Sequence, residues 1–276
     1  MVRISVVTPT FNSEKTIERN INSVINQSYK DFEHIIVDNN SKDSTLSLIN
    51  KIYKDNGLSG ILRTINEADN GISDAFNKGI KAAKGDIVGI LNSDDYYFDS
   101  SVFKRIISAF EDPEILFTHG DIKFIDIIYG TNIRKPLLCD IREAMPYNHP
   151  TMFFRKIVYE QYGIFEASYK YAMDYEFVCR LEKRIPEFRA RGRYLAGEPL
   201  VVQLAGGYSW QNESAAIEEV KNALIFHQLW NNDAEMFYRK RMKRTKIKEI
   251  LHSLKLDFVI KIWRNKKWGN KVSTLA

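Results

Sequence analysis

The chain has 276 residues, 44% apolar and 27% charged, the composition of a folded globular protein, which excludes a disordered one. Its longest apolar runs, residues 4–7 and 87–91, are strand-sized and far short of the roughly 20 residues that span a bilayer. The formal charge of +5 hides an asymmetry: residues 237–276 carry thirteen Lys and Arg against two acids, a net of +11, which leaves −6 on the residues before them.

In chain order, RISVVT (3–8) reads as a strand rather than a charged leader, so no export is expected. A helical pattern follows from about Thr16, with Ile17, Ile21, Val24 and Ile25 on one face. EHIIVD (33–38) is the next strand, and SKDST supplies caps for a helix carrying Leu46, Leu48, Ile49 and Ile52. GILRTI (60–65) is a third strand, NEADNG a loop, 73–83 a helix closed by Gly85, and 86–91 a fourth strand. Strands alternating with helices imply a parallel α/β sheet with right-handed crossovers.

Beyond Asp95 the rhythm changes. Residues 100–110 read as a helix, ILFTHGDIKFID and IIYGTNIRK as a meander or hairpin around Gly130, and 152–154 and 199–204 as strands. Residues 173–184 and 213–230 read as helices. With no repeat and no Gly/Ser linker, the expectation is one mixed-sheet α/β domain over 1–210 and a helical, basic C-terminal region over 211–276. Cys139 and Cys179 lack metal or redox spacing and read as packed or idle thiols suited to a reducing compartment.

In an open α/β sheet, ligands gather beyond the carboxyl ends of the strands. Four such ends here are polar: Thr8-Pro9-Thr10-Phe11-Asn12, Asp38-Asn39-Asn40-Ser41, Asp69-Asn70-Gly71 and Asn92-Ser93-Asp94-Asp95. Each alone fits a turn or helix cap, but four at one edge make a site. No G-x-x-x-x-G-K-[ST], G-x-G-x-x-G, H-E-x-x-H, G-x-S-x-G or Cys/His cluster is present. Adjacent Asp94 and Asp95 repel, so they need open solvent or a cation, and carboxylates with phosphate oxygens are what Mg²⁺ or Mn²⁺ binds.

TPTFN, VDNNSKDST, EADNGISDAFNKGIKAAKGD, LNSDD, NHPTMFF and MDYEF, in this order over residues 1–210, resemble a family 2 glycosyltransferase of the GT-A fold. The likeness is to bacterial enzymes of O-antigen, capsule and colanic-acid assembly. It implies a cytoplasmic, inverting, metal-dependent transferase moving a sugar from a nucleotide donor, UDP-linked, to a glycan hydroxyl. Retaining transferases, nucleotidyltransferases and an idle nucleotide-binding module are the rivals.

The resemblance also implies roles. Thr8, Pro9 and Thr10 border the nucleotide, Asp38 accepts from the uracil N–H, and Asp69, Asp74 and Lys78 close over the donor. Asp74 and Lys78 equally fit an i,i+4 ion pair, and Phe76 stands where many relatives carry an arginine. Ser93 and Asp94 face the sugar nucleotide, Asp94 shares the metal, and Asp95 coordinates Mg²⁺ or Mn²⁺. Asp174 is the base for the acceptor hydroxyl, with Glu176 as a substitute and His149 in the acceptor or diphosphate pocket. A helix N-terminus keeps a carboxylate ionised, as a base requires, although the same position also suits a cap.

Outside that resemblance, Ile247, Leu251, Leu254, Phe258 and Ile262 recur at helical spacing. Lys246, Lys248, Lys255, Lys261, Arg264, Lys266 and Lys267 surround them, with Trp263 and Trp268 beyond. This reads as an amphipathic tail (237–276) that docks on anionic membrane near a lipid-linked acceptor. A helix packed on the domain is the alternative, and nucleic acid is not the expected partner.

Overall fold

Parallel strands covered on both faces read as unbroken apolar runs, and the first two strands obey this: β2 (Phe32–Asp38) is buried along its whole length and β1 (Ile4–Thr10) nearly so. They pair in parallel from Ile4 against Phe32 to Thr10 against Asp38. β3 (Leu62–Asn66) adds outside β2, and β4 (Ile87–Ile90) lies on the other flank of β1. The computed structural model describes residues 2–126, 130–205, 212–256, 258, 259 and 262.

Helix α1 (Ile17–Ile25) buries Ile17, Ile21, Val24 and Ile25, the expected face, and α2 (Thr45–Asp55) buries Ile49 and Tyr53. Helix α3 (Ile72–Ala82) presses so closely on β1 that a Cβ on Gly79 would fall 2.1 Å from a Val7 methyl carbon. The chain steps outward from β1 to β3 and then returns to place β4 on β1's far side, which makes a switch point between β1 and β4. β4 pairs only as far as Ile90 opposite Val7, so residues 8–10 run on beside β2 alone and a crevice opens on the β4 side.

After β5 (Tyr96–Tyr97) and α4 (Val102–Ala109), the chain builds two sheets at once. The main one runs β10-β6-β9-β4-β1-β2-β3, with β6 (Phe117–Gly120) and β10 (Gly192–Leu195) parallel, and β9 (Phe153–Arg155) antiparallel between β6 and β4. The second runs β5-β11-β7-β8, from β7 (Ile122–Asp126), β8 (Gly130–Arg134) and β11 (Val201–Leu204).

The expected meander is therefore split. Its hairpin is the β7–β8 pair, while the preceding LFTHG stretch stays in the main sheet. Asp121 turns the corner between them: its carboxylate accepts from the Tyr194 hydroxyl at 2.7 Å and its carbonyl from the Leu200 N–H at 2.9 Å.

Helices α5 (Lys156–Tyr162) and α6 (Met173–Arg184) follow β9, α7 (Glu213–Phe226) and α8 (Asn232–Ser253) come next, and the described residues 258, 259 and 262 are helical again. Packing continues past residue 210: Ala223, Leu224 and Ala234 belong to the buried cluster that holds Val7, Val88 and Phe154. Cys179 is buried in it as an inert thiol, and Cys139 is half-buried and free.

The expected continuous tail helix is corrected. α8 stops at Ser253 because Lys255 takes a left-handed φ of 57°, with the Leu256 N–H reaching back to the Leu251 carbonyl at 2.8 Å. Ile247 and Leu254 therefore do not share one helical face with Phe258 and Ile262. Lys261, Trp263, Arg264, Lys266, Lys267 and Trp268 lie outside the described residues. Among those described, no helix is long and apolar enough to cross a membrane.

Candidate active site

The crevice at the β1/β4 switch point is the mouth of a cleft of about 1050 Å³. Residues after β1, β2 and β4, the loop before α3, segments 145–150 and 167–174, and the second sheet all reach its wall. Of the expected site residues it gathers Pro9, Thr10, Asp69, Ser93, Asp94, Asp95, His149 and Asp174. Thr8, Asp38, Asp74, Lys78 and Glu176 stay out of it.

Strand ends are stitched to one another on the first side. Thr10 Oγ1 donates to Asp38 Oδ1 at 2.8 Å, and Ser41 donates its Oγ to Oδ1 at 2.6 Å and its N–H to Oδ2 at 2.8 Å. Asp38 is thereby fully buried and stands behind the wall of the cleft. Thr8 lies beneath it, its hydroxyl facing His34 Nε2 at 2.9 Å in the core. Asn12, held at φ 48°, accepts from the Lys42 N–H at 2.9 Å, and Ser13 Oγ meets Ser93 Oγ at 2.9 Å across the crevice. Phe11 is left 59% exposed at the mouth.

Asp69 is set by its neighbours: its N–H donates to Asn39 Oδ1 at 3.0 Å and its Oδ1 accepts from the Gly71 N–H at 2.9 Å. Asp74 and Lys78 brace this loop and do not line the cleft, and they form the i,i+4 ion pair that their spacing allows. Asp74 accepts from the Asn70 N–H at 3.0 Å, which holds its carboxyl below the usual range. Lys78 donates to the Ala68 carbonyl at 2.6 Å and pairs with Glu67 at 3.1 Å and Asp74 at 3.4 Å.

After β4 the turn is fixed by Asn20, whose amide donates to the carbonyls of Asn92 at 2.8 Å and Asp95 at 3.0 Å. Asp95 is 2% exposed. Burial pushes its carboxyl well above the usual range, the Asp94 charge adds to this, and hydrogen bonds from Asn92, Gln203 and the Leu204 backbone only partly oppose it. Burial raises Asp94 too. Asn92 Oδ1 is buried without a hydrogen-bond partner among the described residues.

On the opposite wall, Asp174 sits in the first turn of α6, half-buried, with Oδ1 accepting from the Tyr175 N–H at 2.8 Å. His149 packs between the rings of Phe76 and Phe165, with centroids 6.0 and 6.1 Å away. Burial lowers its pKa against the pull of the nearby Asp174 charge, so it is neutral at pH 7. Glu176 points into the helix packing, accepting from Arg180 Nε at 3.1 Å and His227 Nε2 at 2.8 Å. Burial pushes its carboxyl up, but His227 and Arg180 outweigh that and hold it low.

The model of "Glycosyl transferase family 2" matches residues 5–176, more than half of the chain and every residue that lines this cleft up to Asp174. The chain belongs to glycosyl transferase family 2. An uncharacterized glycosyltransferase of Haemophilus influenzae is 30% identical over 194 residues, 63% of this chain and 58% of that protein. Another from the same organism is 31% identical over 128 residues, 46% of this chain and 50% of that protein, so the match spans only about half the length of such relatives. Among solved structures, Staphylococcus aureus TarS 1–349 in complex with UDP-GlcNAc superimposes with a TM-score of 0.65 at 19% identity, covering 88% of this chain and 72% of that one. The mannosyltransferase PcManGT of Pyrobaculum calidifontis, in complex with GDP-Man and Mn²⁺, gives 0.60 at 15% identity, covering 98% and 88%. These likenesses establish the GT-A fold.

The donor set of this family 2 member fits a hard divalent cation. Two adjacent carboxylates are costly to ionise where they stand, and an amide oxygen beside them has no partner among the described residues. No cluster of three His, Cys, Asp or Glu occurs among the described residues, so the chain offers two carboxylates, the number Mg²⁺ or Mn²⁺ commonly takes alongside phosphate oxygens and water.

Several residues that shape the family 2 cleft are silent in the sequence. Asn20 and Gln203 reach the β4 turn from far along the chain, and Asn77 ties α3 to the loop after α5, donating to the Phe165 carbonyl at 2.8 Å and accepting its N–H at 2.9 Å. The one available signal was polarity on an otherwise apolar helix face, at Asn20 and Asn77.

Proposed function

We propose that the protein is an inverting glycosyltransferase that moves a sugar from a UDP-linked donor to a hydroxyl of a lipid-linked glycan acceptor in bacterial surface polysaccharide assembly. The observation that carries this reading is a single cleft with the Asp94–Asp95 pair on one wall and Asp174 on the other. The nucleotide-sugar complexes of TarS and PcManGT support the donor class, and UDP-GlcNAc in TarS supports uracil.

Pro9, Thr10 and Asp69 border the nucleotide, and Ser93 and Asp94 face its ribose and sugar. Asp95, with Asp94 beside it, would hold Mg²⁺ or Mn²⁺, whose chemistry there is Lewis-acid neutralisation of the charge gathering on the departing diphosphate. Asp174 takes the proton of the acceptor hydroxyl. That oxygen bonds to the anomeric carbon as the bond to the diphosphate breaks on the opposite face, so configuration inverts without a protein nucleophile. Neutral His149 lines the acceptor side.

The test is a panel of UDP- and GDP-linked sugars with Mn²⁺, measuring affinity by calorimetry and slow donor hydrolysis by nucleotide release. One donor class should bind and hydrolyse, and EDTA should stop it. Turnover that survives EDTA, or binding of no nucleotide sugar, overturns the reading.

For the partner surface, exposed Arg239, Lys240, Lys243, Arg244 and Lys246 on α8 stand beside exposed Ile247, Ile250 and Leu254. Basic charge next to apolar side chains suits an anionic membrane, at about 1 kcal/mol per cation near the surface. α8 is itself fastened to α7, with Lys248 paired to Glu213 at 2.7 Å and Ser214 donating to Glu249 at 2.6 Å. Charge reversal of the five cations is therefore a better probe than truncation. Reversal should abolish salt-sensitive co-sedimentation with anionic vesicles, and unchanged binding would remove the membrane from the proposal.

A further inference from the structure

The segment that delivers Asp174 to the cleft has an unusual anchor. Three successive main-chain N–H groups, those of Lys170, Tyr171 and Ala172, converge on the carboxylate of Glu219, at 2.9, 2.8 and 2.8 Å. Helix α6 begins right after them. Its flanking residue, Ala172, has no side chain that can cap, and Glu219 reaches in from another helix to accept the three N–H groups just ahead of the first turn.

Glu219 is on α7, beyond the matched stretch 5–176, and is not part of the cleft wall. α7 in turn is locked to α6 by the 2.8 Å bond from His227 to Glu176 and by the buried Ala223 and Leu224. The same segment is fixed from the donor side, where Ser73 donates to the Tyr169 carbonyl at 2.7 Å. Between these two anchors the main chain has little freedom before Asp174.

We propose that Glu219 is the positioning residue for Asp174: it moulds the 170–172 turn, and through the backbone alone sets where the base meets the acceptor. This rests on the reading of Asp174 as the base. A misplacement of about 1 Å at a reacting group can cost on the order of 100-fold in rate without touching donor affinity. Removing Glu219 therefore acts on turnover and not on nucleotide binding.

The experiment uses the full chain and four proteins: wild type, Glu219→Ala, Glu219→Gln and Asp174→Asn. Three readouts are taken: UDP affinity with Mn²⁺, nucleotide release from the sugar nucleotide that the panel selects, and amide exchange of the peptide spanning 167–175. Glu219→Ala should bind UDP within about twofold of wild type, lose roughly 10- to 100-fold in turnover, and exchange the 170–172 amides faster. Glu219→Gln keeps one acceptor oxygen and should restore part of both, and it serves also if the alanine variant does not fold. Asp174→Asn should lose turnover with those amides still protected.

Wild-type turnover in Glu219→Ala despite faster exchange overturns the proposal. So does a loss of UDP affinity as large as the loss of turnover, which marks general unfolding of the cleft. A wild type that turns over no nucleotide sugar is a different result: it removes the base assignment, and this inference with it.

Discussion

The two walls of the cleft are built by different means. The β1–β4 wall is made by strand ends that are neighbours in the sheet, each tied to the next: Thr10 to Asp38, Asn12 to Lys42, Asp69 to Asn39. The Asp174 wall is assembled from segments far apart in sequence, tied by Asn77 to Phe165, Ser73 to Tyr169 and Glu219 to 170–172. The first wall can be rigid as soon as the parallel sheet forms. The second is right only when α3, α6 and α7 have all docked, so its precision depends on distant packing.

If this contrast holds, the largest effect comes from the first wall. Asp95→Ala removes the buried carboxylate at the end of β4 and should cut metal-dependent turnover by about 10³-fold or more, the scale of losing a main electrostatic stabiliser. Mn²⁺-dependent UDP affinity should fall with it if this wall holds the donor as proposed. Retained Mn²⁺-stimulated binding would separate the pair from the cation.

Asp174→Asn comes next and should divide the walls cleanly. Turnover should drop by about 10²- to 10⁴-fold, the range of general-base contributions, while UDP affinity stays within about twofold. Stability should move little, since the amide keeps an oxygen for the Tyr175 N–H. Equal losses in binding and turnover would mean that the walls are not functionally separate.

The same contrast explains what could be read in the sequence. β1, β2, α1 and α6 declare themselves through apolar periodicity, and α6 runs over the expected 173–184. The first wall's polar strand ends were visible for the same reason, although pattern alone could not tell that Asp38 faces Ser41 and Thr10 rather than the cleft. β10 escaped because GRYL is a short edge strand paired only to β6, and β5 because it has two residues. Leaving the main sheet at Asp121 takes one residue and has no compositional mark. Glu219 looks like any helical glutamate until the 170–172 turn is placed against it.

A smaller effect tests whether both walls share an acid weakness. Burial lowers the His34 pKa to about 3 and that of His119 to about 4, so both are neutral in the fold. Unfolded, each titrates near its ordinary value of about 6.5. Above that pH neither state binds the proton and nothing is lost. As pH falls below it the unfolded chain takes up protons that the fold refuses, and stability declines by about 1.4 kcal/mol per pH unit for each histidine. Unfolding free energies from urea titrations at pH 7.5 and 5.5 should therefore carry a difference of roughly 2–3 kcal/mol from these two histidines. His119 lies among Phe117, Tyr147 and Tyr194 with Nδ1 unpartnered among the described residues. His119→Phe should remove its share and raise stability at pH 5.5, and a variant as acid-sensitive as wild type would place the weakness elsewhere.

The smallest effect decides how far the first wall extends. Lys78 was expected over the donor, and instead it spans Glu67, Asp74 and the Ala68 carbonyl, bracing the loop that carries Asp69. Both carboxylate partners are partly exposed, with side chains 57% and 26% accessible, so water and salt screen these pairs to about 1 kcal/mol or less. Lys78→Met keeps most of the aliphatic stem and removes only the charge and its bonds. If the residue is a brace, UDP affinity should weaken by less than about threefold, with a comparably small change in melting temperature that salt also abolishes in wild type. A direct contact to a donor phosphate would be charge-assisted and worth more, so its loss should cost 10-fold or greater in UDP affinity at unchanged stability. That outcome would return Lys78 to the donor side and move the boundary of the first wall out to α3.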